Sequence, residues 1–142
     1  MSKSSRVILI DTGFLVALFL KQDAAHARAY GLREQLKERV WLTTWPVITE
    51  TCYFLQKHAS WKLSAFLGLL ENNAISIFDL NRLHVPKIKA LLEQYHDFGA
   101  DMADISLVIA AEELDVSDIV STDYRDFAIY RWKGKPFRNL MQ

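Results

Sequence analysis

The sequence predicts an α/β sandwich built on a mostly parallel sheet, and three observations carry this. Four short runs are apolar and β-branched without polar alternation, the pattern of strands covered on both faces. Stretches of helical length separate them, as in repeated strand–helix units. No repeat, low-complexity tract or linker interrupts the 142 residues, so residues 1–142 are expected to form a single domain with a proper core.

The elements follow in order. "VILI" (7–10) is the first strand, and "TGFLVALFL" is an apolar helix. A longer amphipathic piece surrounds "AAHARAYGLREQLKER", and "VWLTT" (40–44) is the second strand. "PVITETCYFLQKH" is a helix with Pro46 suited to its first turn. "WKLSAFLGLLENN" is a helix stopped by Asn72-Asn73, and "ISIF" (75–78) is the third strand. "VPKIKALLEQYHDFG" runs helically from Pro86 to Gly99, and "DMADISLVIAAEEL" is the last large helix. "DIVST" (118–122) is the fourth strand. The opening "MSKSSR" before an apolar run resembles an export signal, with "AHA" as a possible cleavage site. Asp11 splits that run, and the piece after Gly13 is too short to span a bilayer, so a strand followed by a helix explains it better. No membrane association is expected.

Composition is that of an ordinary globular protein, 51% hydrophobic and 24% charged. Lys+Arg and Asp+Glu both number 17, so net charge points to no class of partner. The distribution is uneven: nine acids face one base, Arg125, between Asp97 and Asp126, whereas Arg131, Lys133, Lys135 and Arg138 close the chain without an acid. The one cysteine, Cys52, excludes an intrachain disulfide, no Cys/His cluster has zinc spacing, and a reducing cytoplasm fits.

Ligands of such folds bind beyond the carboxyl ends of the strands. The first strand stops at Asp11 and the fourth at "STD", ending in Asp123. Each Asp alone reads as a helix N-cap. Glu50 shares an apolar helix stripe with Val47 and Phe54, and a capping box starting at Thr44 would place its reciprocal residue at Val47 instead. Glu50 is therefore either a solvated surface residue or a ligand. Asp101 suits an N-cap and Asp104 the third helical position, yet one carboxylate suffices for a cap. Gathered at one sheet edge, Asp11, Glu50, Asp104 and Asp123 would repel one another unless a cation neutralised them. Hard oxygen donors favour Mg²⁺ or Mn²⁺, ions that activate water and stabilise a phosphodiester under in-line attack. The chemistry implied is hydrolysis of a nucleic-acid backbone.

Four motifs, in order and across essentially the whole chain, resemble those of the PIN-domain ribonucleases, and among them the VapC-like toxins of toxin–antitoxin pairs. "VILIDTGFLVALF" is similar to the opening strand with Asp11 and the hydroxyl of Thr12, and "VITETCYFL" to the helical glutamate motif with Glu50. "DMADISLVIAAEEL" resembles the "D-x-x-D-A-x-L" helix opening, with Asp104 as central acid, Asp101 beside it and Ile105 where a small residue is common. "IVSTDYRDF" resembles the "T-x-D-x-x-D-F" ending, with Asp123. The resemblance implies a three-layer α/β/α sandwich with four to five strands, and a single PIN-like nuclease domain. It implies Mg²⁺- or Mn²⁺-dependent endoribonuclease activity, a homodimer, and a small antitoxin whose C-terminal segment fills the active-site groove. Asp11, Glu50, Asp104 and Asp123 become the catalytic metal ligands, with Asp101 either a further ligand or a cap. Thr12 and Thr122 would hydrogen-bond the carboxylates or their waters, and Asp126 reads as structural or substrate-side.

RNA approaching an acidic site needs a basic rim. Arg125, Arg131 and Lys133, with Lys135 and Arg138, are candidates for it, interleaved with Tyr130, Trp132 and Phe137. The competing reading has these aromatics closing the core or a dimer interface, while the charges merely solvate the tail. The helices at 46–57 and 61–71 could offer an oligomer or antitoxin surface, although core packing suits most of their apolar residues. Rival functions are a housekeeping PIN nuclease, a phosphohydrolase acting on small esters, and an inactive partner-binding module. "DTG" lacks the second aspartate of an aspartyl-phosphate enzyme, and no glycine-rich phosphate loop is present.

Overall fold

Three consecutive residues of the first strand, Ile8, Leu9 and Ile10, are fully buried, which requires cover on both faces of the sheet. The computed structural model describes residues 6–142, so the opening residues 1–5, weighed above as the head of an export signal, lie outside the described residues. In chain order the elements are β1 (Val7–Ile10), α1 (Thr12–Phe19), α2 (His26–Gln35), β2 (Val40–Thr44), α3 (Trp45–His58), α4 (Leu63–Glu71), β3 (Ser76–Phe78) and α5 (Val85–Gln94). Then come α6 (Met102–Leu114), β4 (Asp118–Val120), α7 (Tyr124–Ile129), β5 (Arg131–Trp132), β6 (Lys135–Pro136) and β7 (Arg138–Asn139). No helix among the described residues is long and apolar enough to cross a membrane.

Five strands form one parallel sheet in the order β3-β2-β1-β4-β7. From β1 the chain moves outward through β2 and β3, then returns to the other side of β1 to make β4. Parallel crossovers are almost always right-handed, so moving outward from β1 in both directions puts helices on both faces. The α/β sandwich with a parallel sheet is therefore as expected, at the upper strand number. The reversal between β1 and β4 is the topological switch point, where the loops after the two strands part and leave a crevice. Asp11 N–H donates to Val120 O across this point at 3.1 Å.

Local departures from the sequence expectation have simple causes. β4 stops at Val120 because Ser121 to Asp123 turn into the cap of α7. The expected helix ending at Gly99 ends at Gln94, and a 3-10 turn at His96–Phe98 carries the chain to Gly99, whose φ of 71° is left-handed. After β4 the sequence predicts only a turn or a helix start at Asp123, and α7 begins there. Beyond it, β5 and β6 pair antiparallel through Lys133 and Gly134, both at positive φ (49° and 75°), as a two-residue hairpin requires.

The other end of the sheet is held by one carboxylate. Asp118, at the start of β4, accepts from Arg39 at 2.8 Å and from both Nε and a terminal nitrogen of Arg138 at 2.8 and 2.7 Å. Arg39 also donates to the carbonyls of Arg6 and Val7, so the starts of β1, β4 and β7 are tied together. Burial alone would raise the Asp118 carboxyl, but the hydrogen bonds and charges of Arg138 and Arg39 outweigh it and hold it below the usual range. A group with a lowered folded pKa contributes stability above its unfolded pKa and loses it as pH falls through the folded one. Asp118→Asn, which strands the largely buried Arg39, is expected to cost roughly 3 kcal/mol in urea denaturation at neutral pH. The gap to wild type should narrow in acid. A loss within the ~0–1 kcal/mol of an exposed ion pair would show that this clamp is incidental.

Candidate active site

Asp11 leaves the end of β1 and caps α1, its Oδ1 accepting from Thr12 N–H at 2.8 Å. Its Oδ2 accepts from Ser121 Oγ–H at 2.7 Å, and the Ser121 hydroxyl oxygen in turn accepts from Asp123 N–H at 2.9 Å. Ser121 thus ties the two strand-end aspartates across the switch point. Gly13 packs closely here, because a Cβ at this position would force the Thr122 hydroxyl to move. Asp123 caps α7 by accepting from Asp126 N–H at 3.2 Å. Asp101 caps α6, accepting from Asp104 N–H at 2.9 Å. The capping readings of Asp11, Asp101 and Asp123 are therefore all realised, and each cap is also part of the site.

Asp104 itself is buried at the head of α6, where every residue from Ala103 to Ala111 is buried. Tyr130, with no exposed surface, donates its hydroxyl to Asp104 Oδ2 at 2.8 Å. Glu50 reaches the same place from α3. Asp11, Glu50, Asp101, Asp104 and Asp123 all line one cavity of about 530 Å³, together with Thr12 and Thr122. The structure brings all five sequence-predicted carboxylates together.

The acids are uncomfortable there. Asp11 is pushed up to about 6, mainly by burial, with Glu50 and Asp123 adding repulsion against the hydrogen bonds of Ser121 and Thr12. Asp104 is pushed up to about 8 by burial and by the charge of Asp11, although the Tyr130 hydrogen bond opposes the shift. Asp126 is pushed up to about 6 by desolvation and by its contact with Asp123. Tyr130 is raised well above the usual phenol range by burial and by its bond to Asp104, so it stays a donor.

The donors suit a hard divalent cation. Asp104, Asp123 and Asp126 each offer a carboxylate oxygen within 4.8 Å of the others. Thr12 Oγ1 is buried beside them with no hydrogen-bond partner, an unusual condition that a bound ion or its water would relieve. All-oxygen, carboxylate-rich sets favour Mg²⁺ or Mn²⁺ over softer ions. Asp126, expected to be structural or substrate-side, belongs to the cluster. Its place one helical turn after Asp123 was the available signal. Ser121 and Tyr130 were also missed. A serine beside a threonine at a strand end gave no ground for choosing between them, and Tyr130 looked like one more core aromatic.

The residues expected to form a basic rim are not among those lining the cavity. Arg131 spends its guanidinium on the carbonyls of Ala128, Ile129 and Tyr130, closing the end of α7. Lys133 pairs with Asp115 at 2.9 Å and its N–H donates to Glu112, towards the far end of α6, about 12 Å of helix from Asp104. Arg125 is exposed on α7 but does not line the cavity. Tyr130 and Trp132 are buried, and Phe137 stacks edge-on against Phe127 at 5.5 Å, so the aromatics of this segment close the core.

With this geometry in view, the comparisons with known proteins are specific. The sequence profile of the PIN domain matches residues 8–133. Among curated proteins, none matches the sequence. Among solved structures, the crystal structure of Mycobacterium tuberculosis VapC20, a sarcin–ricin loop cleaving toxin, superposes with a TM-score of 0.74 at 17% identity. The match covers 83% of this chain and 91% of that one.

The raised acids set an expectation for pH. Below about pH 4, both the folded and unfolded chains hold their protons; as pH rises towards 8, the unfolded chain releases them first, and folding loses stability. With EDTA present, melting should therefore fall between pH 5 and pH 8. Asp104→Asn should flatten the profile and raise Tm at pH 8 by about 5 °C or more. A wild-type profile that is already flat, measured by calorimetry, would count against mutual repulsion in the site.

Proposed function

The chain belongs to the PIN-domain family, and on that premise we propose that its 142 residues form a single Mg²⁺- or Mn²⁺-dependent endoribonuclease domain. One observation carries the reading: Asp11, Glu50, Asp101, Asp104 and Asp123 converge on one cavity at the switch point of a parallel sheet. Asp11, Glu50, Asp104 and Asp123 would hold the ion directly or through water, with Asp101 and Asp126 as further oxygen donors. Thr12 and Thr122 would hydrogen-bond the carboxylates or their waters. When bound, such an ion supplies Lewis acidity that activates water and offsets charge at the phosphate.

The chain's own residues supply the positioning. Ser121 and the Thr12 amide fix the Asp11 carboxylate, and Tyr130 fixes that of Asp104, so neither has to reorganise during the reaction. Water attacks the scissile phosphorus in line, the 3′-oxygen leaves, and a 3′-hydroxyl and a 5′-phosphate result. Without a cation the clustered acids repel the phosphodiester, which makes binding as well as cleavage metal-dependent.

Sharing its fold with a toxin that cleaves the sarcin–ricin loop supports an RNA substrate for this chain. It also supports the role of toxin in a toxin–antitoxin pair, restrained by a small antitoxin and acting as a homodimer in the cytoplasm. Asp11→Asn and Asp104→Asn are each expected to lower RNA cleavage at least a hundred-fold while circular dichroism stays native. EDTA should abolish the wild-type activity, and Mn²⁺ should restore it. Wild-type rates in both variants would refute the assignment.

A further inference from the structure

The cavity has two chemically distinct halves. Beyond the carboxylates it continues along a wall of Val16 and Leu20 on the α1 side and Phe54 on α3, with Gln22, Asp23 and His58 at the rim. Phe54 leaves 37% of its surface exposed, although it lies in the same cavity as the acids. Glu50, Phe54 and His58 are spaced i, i+4, i+8, so they form one stripe along α3, with Phe54 about 6 Å and His58 about 12 Å from Glu50 along the axis.

No lysine or arginine among the described residues lines this cavity. Arg131 and Lys133 are engaged elsewhere. Away from the ion that the acids would hold, a strand of RNA therefore meets no lysine or arginine in the cavity to grip its phosphates, as it would in a basic groove. What the cavity offers instead is an exposed aromatic face, an apolar wall, and an amide and a carboxylate at its edge. These are the groups that receive an unstacked base: rings stack on aromatics, and polar side chains read the base edge. Asp23 fits an amino edge and repels a phosphate, which separates the two possible occupants of the rim.

From this we infer that the apolar half of the cavity is a nucleobase subsite. A base flanking the scissile phosphate leaves its neighbours and stacks on Phe54, with its edge against Gln22 and Asp23. The inference rests on the ribonuclease reading and adds to it how the strand is held.

The test uses the full chain, with Ca²⁺ as the divalent ion, and two fluorescent probes read by anisotropy. One is a short single-stranded RNA of mixed sequence, and the other is a ribose-phosphate strand of the same length without bases. Wild type should bind the RNA roughly ten-fold or more tighter than the abasic strand. Phe54→Ala should lose most of that difference by weakening RNA alone, Phe54→Trp should keep it, and Gln22→Ala should reduce it. The salt dependence of RNA binding should be shallow. Equal binding of RNA by wild type and Phe54→Ala, with RNA still cleaved in Mg²⁺ or Mn²⁺, overturns the subsite and leaves the nuclease standing. That result would give the apolar half to another occupant, such as a protein partner. If wild type neither binds nor cleaves RNA, both readings fall together.

Discussion

The structure is organised around carboxylates kept where water cannot fully solvate them. Burial is the main reason that Asp104 is pushed up to about 8, and the charge of Asp11 adds to it. A fold would not tolerate such a cluster without holding its members rigidly. Three of the aspartates are helix caps, one accepts a serine hydroxyl, and one accepts a buried phenol. Each bond narrows the rotamers of a side chain that would otherwise swing out to water.

The same residue type behaves oppositely at the two ends of the sheet. Asp118 exposes about as little surface as Asp11 and Asp104, yet two guanidinium groups hold it below the ordinary carboxylate range. Asp11 and Asp104 have only neutral donors, Ser121, the Thr12 amide and Tyr130, which orient them without cancelling their charge. The amino ends of the strands therefore carry a self-contained ion cluster that serves stability. The carboxyl ends carry an uncompensated one that a cation can complete. Placing the deficit at the switch point keeps it in the one crevice that the parallel topology must leave open.

Much of this was legible in the sequence because its physical signals are local. Strands buried on both faces read as unbroken apolar runs, and Asp11 and Asp123 stand where those runs stop. Glu50 was visible as an acid on an apolar stripe that no cap explained. What escaped depends on contacts between distant segments. Tyr130 reaches Asp104 over 26 residues, and Ser121 reaches Asp11 over 110. Charge counts along the chain likewise do not reveal that Arg131 closes a helix end or that Lys133 turns a hairpin beside Asp115.

Capping and ligation are commonly weighed as alternatives for an aspartate at a helix start, and here they are one arrangement. A cap engages one oxygen of Asp101 and of Asp123, and a carboxylate has room for several further partners. It also points the amide end of the helix dipole at the cluster, which eases the accumulation of negative charge there. For α6 that aim is fixed by the buried run from Ala103 to Ala111, which cannot rotate without exposing apolar surface. The apolar body of the helix thus sets the position of Asp104, and the cap at Asp101 sets where the helix begins. Both are needed before a lone carboxylate in a crevice becomes part of a site.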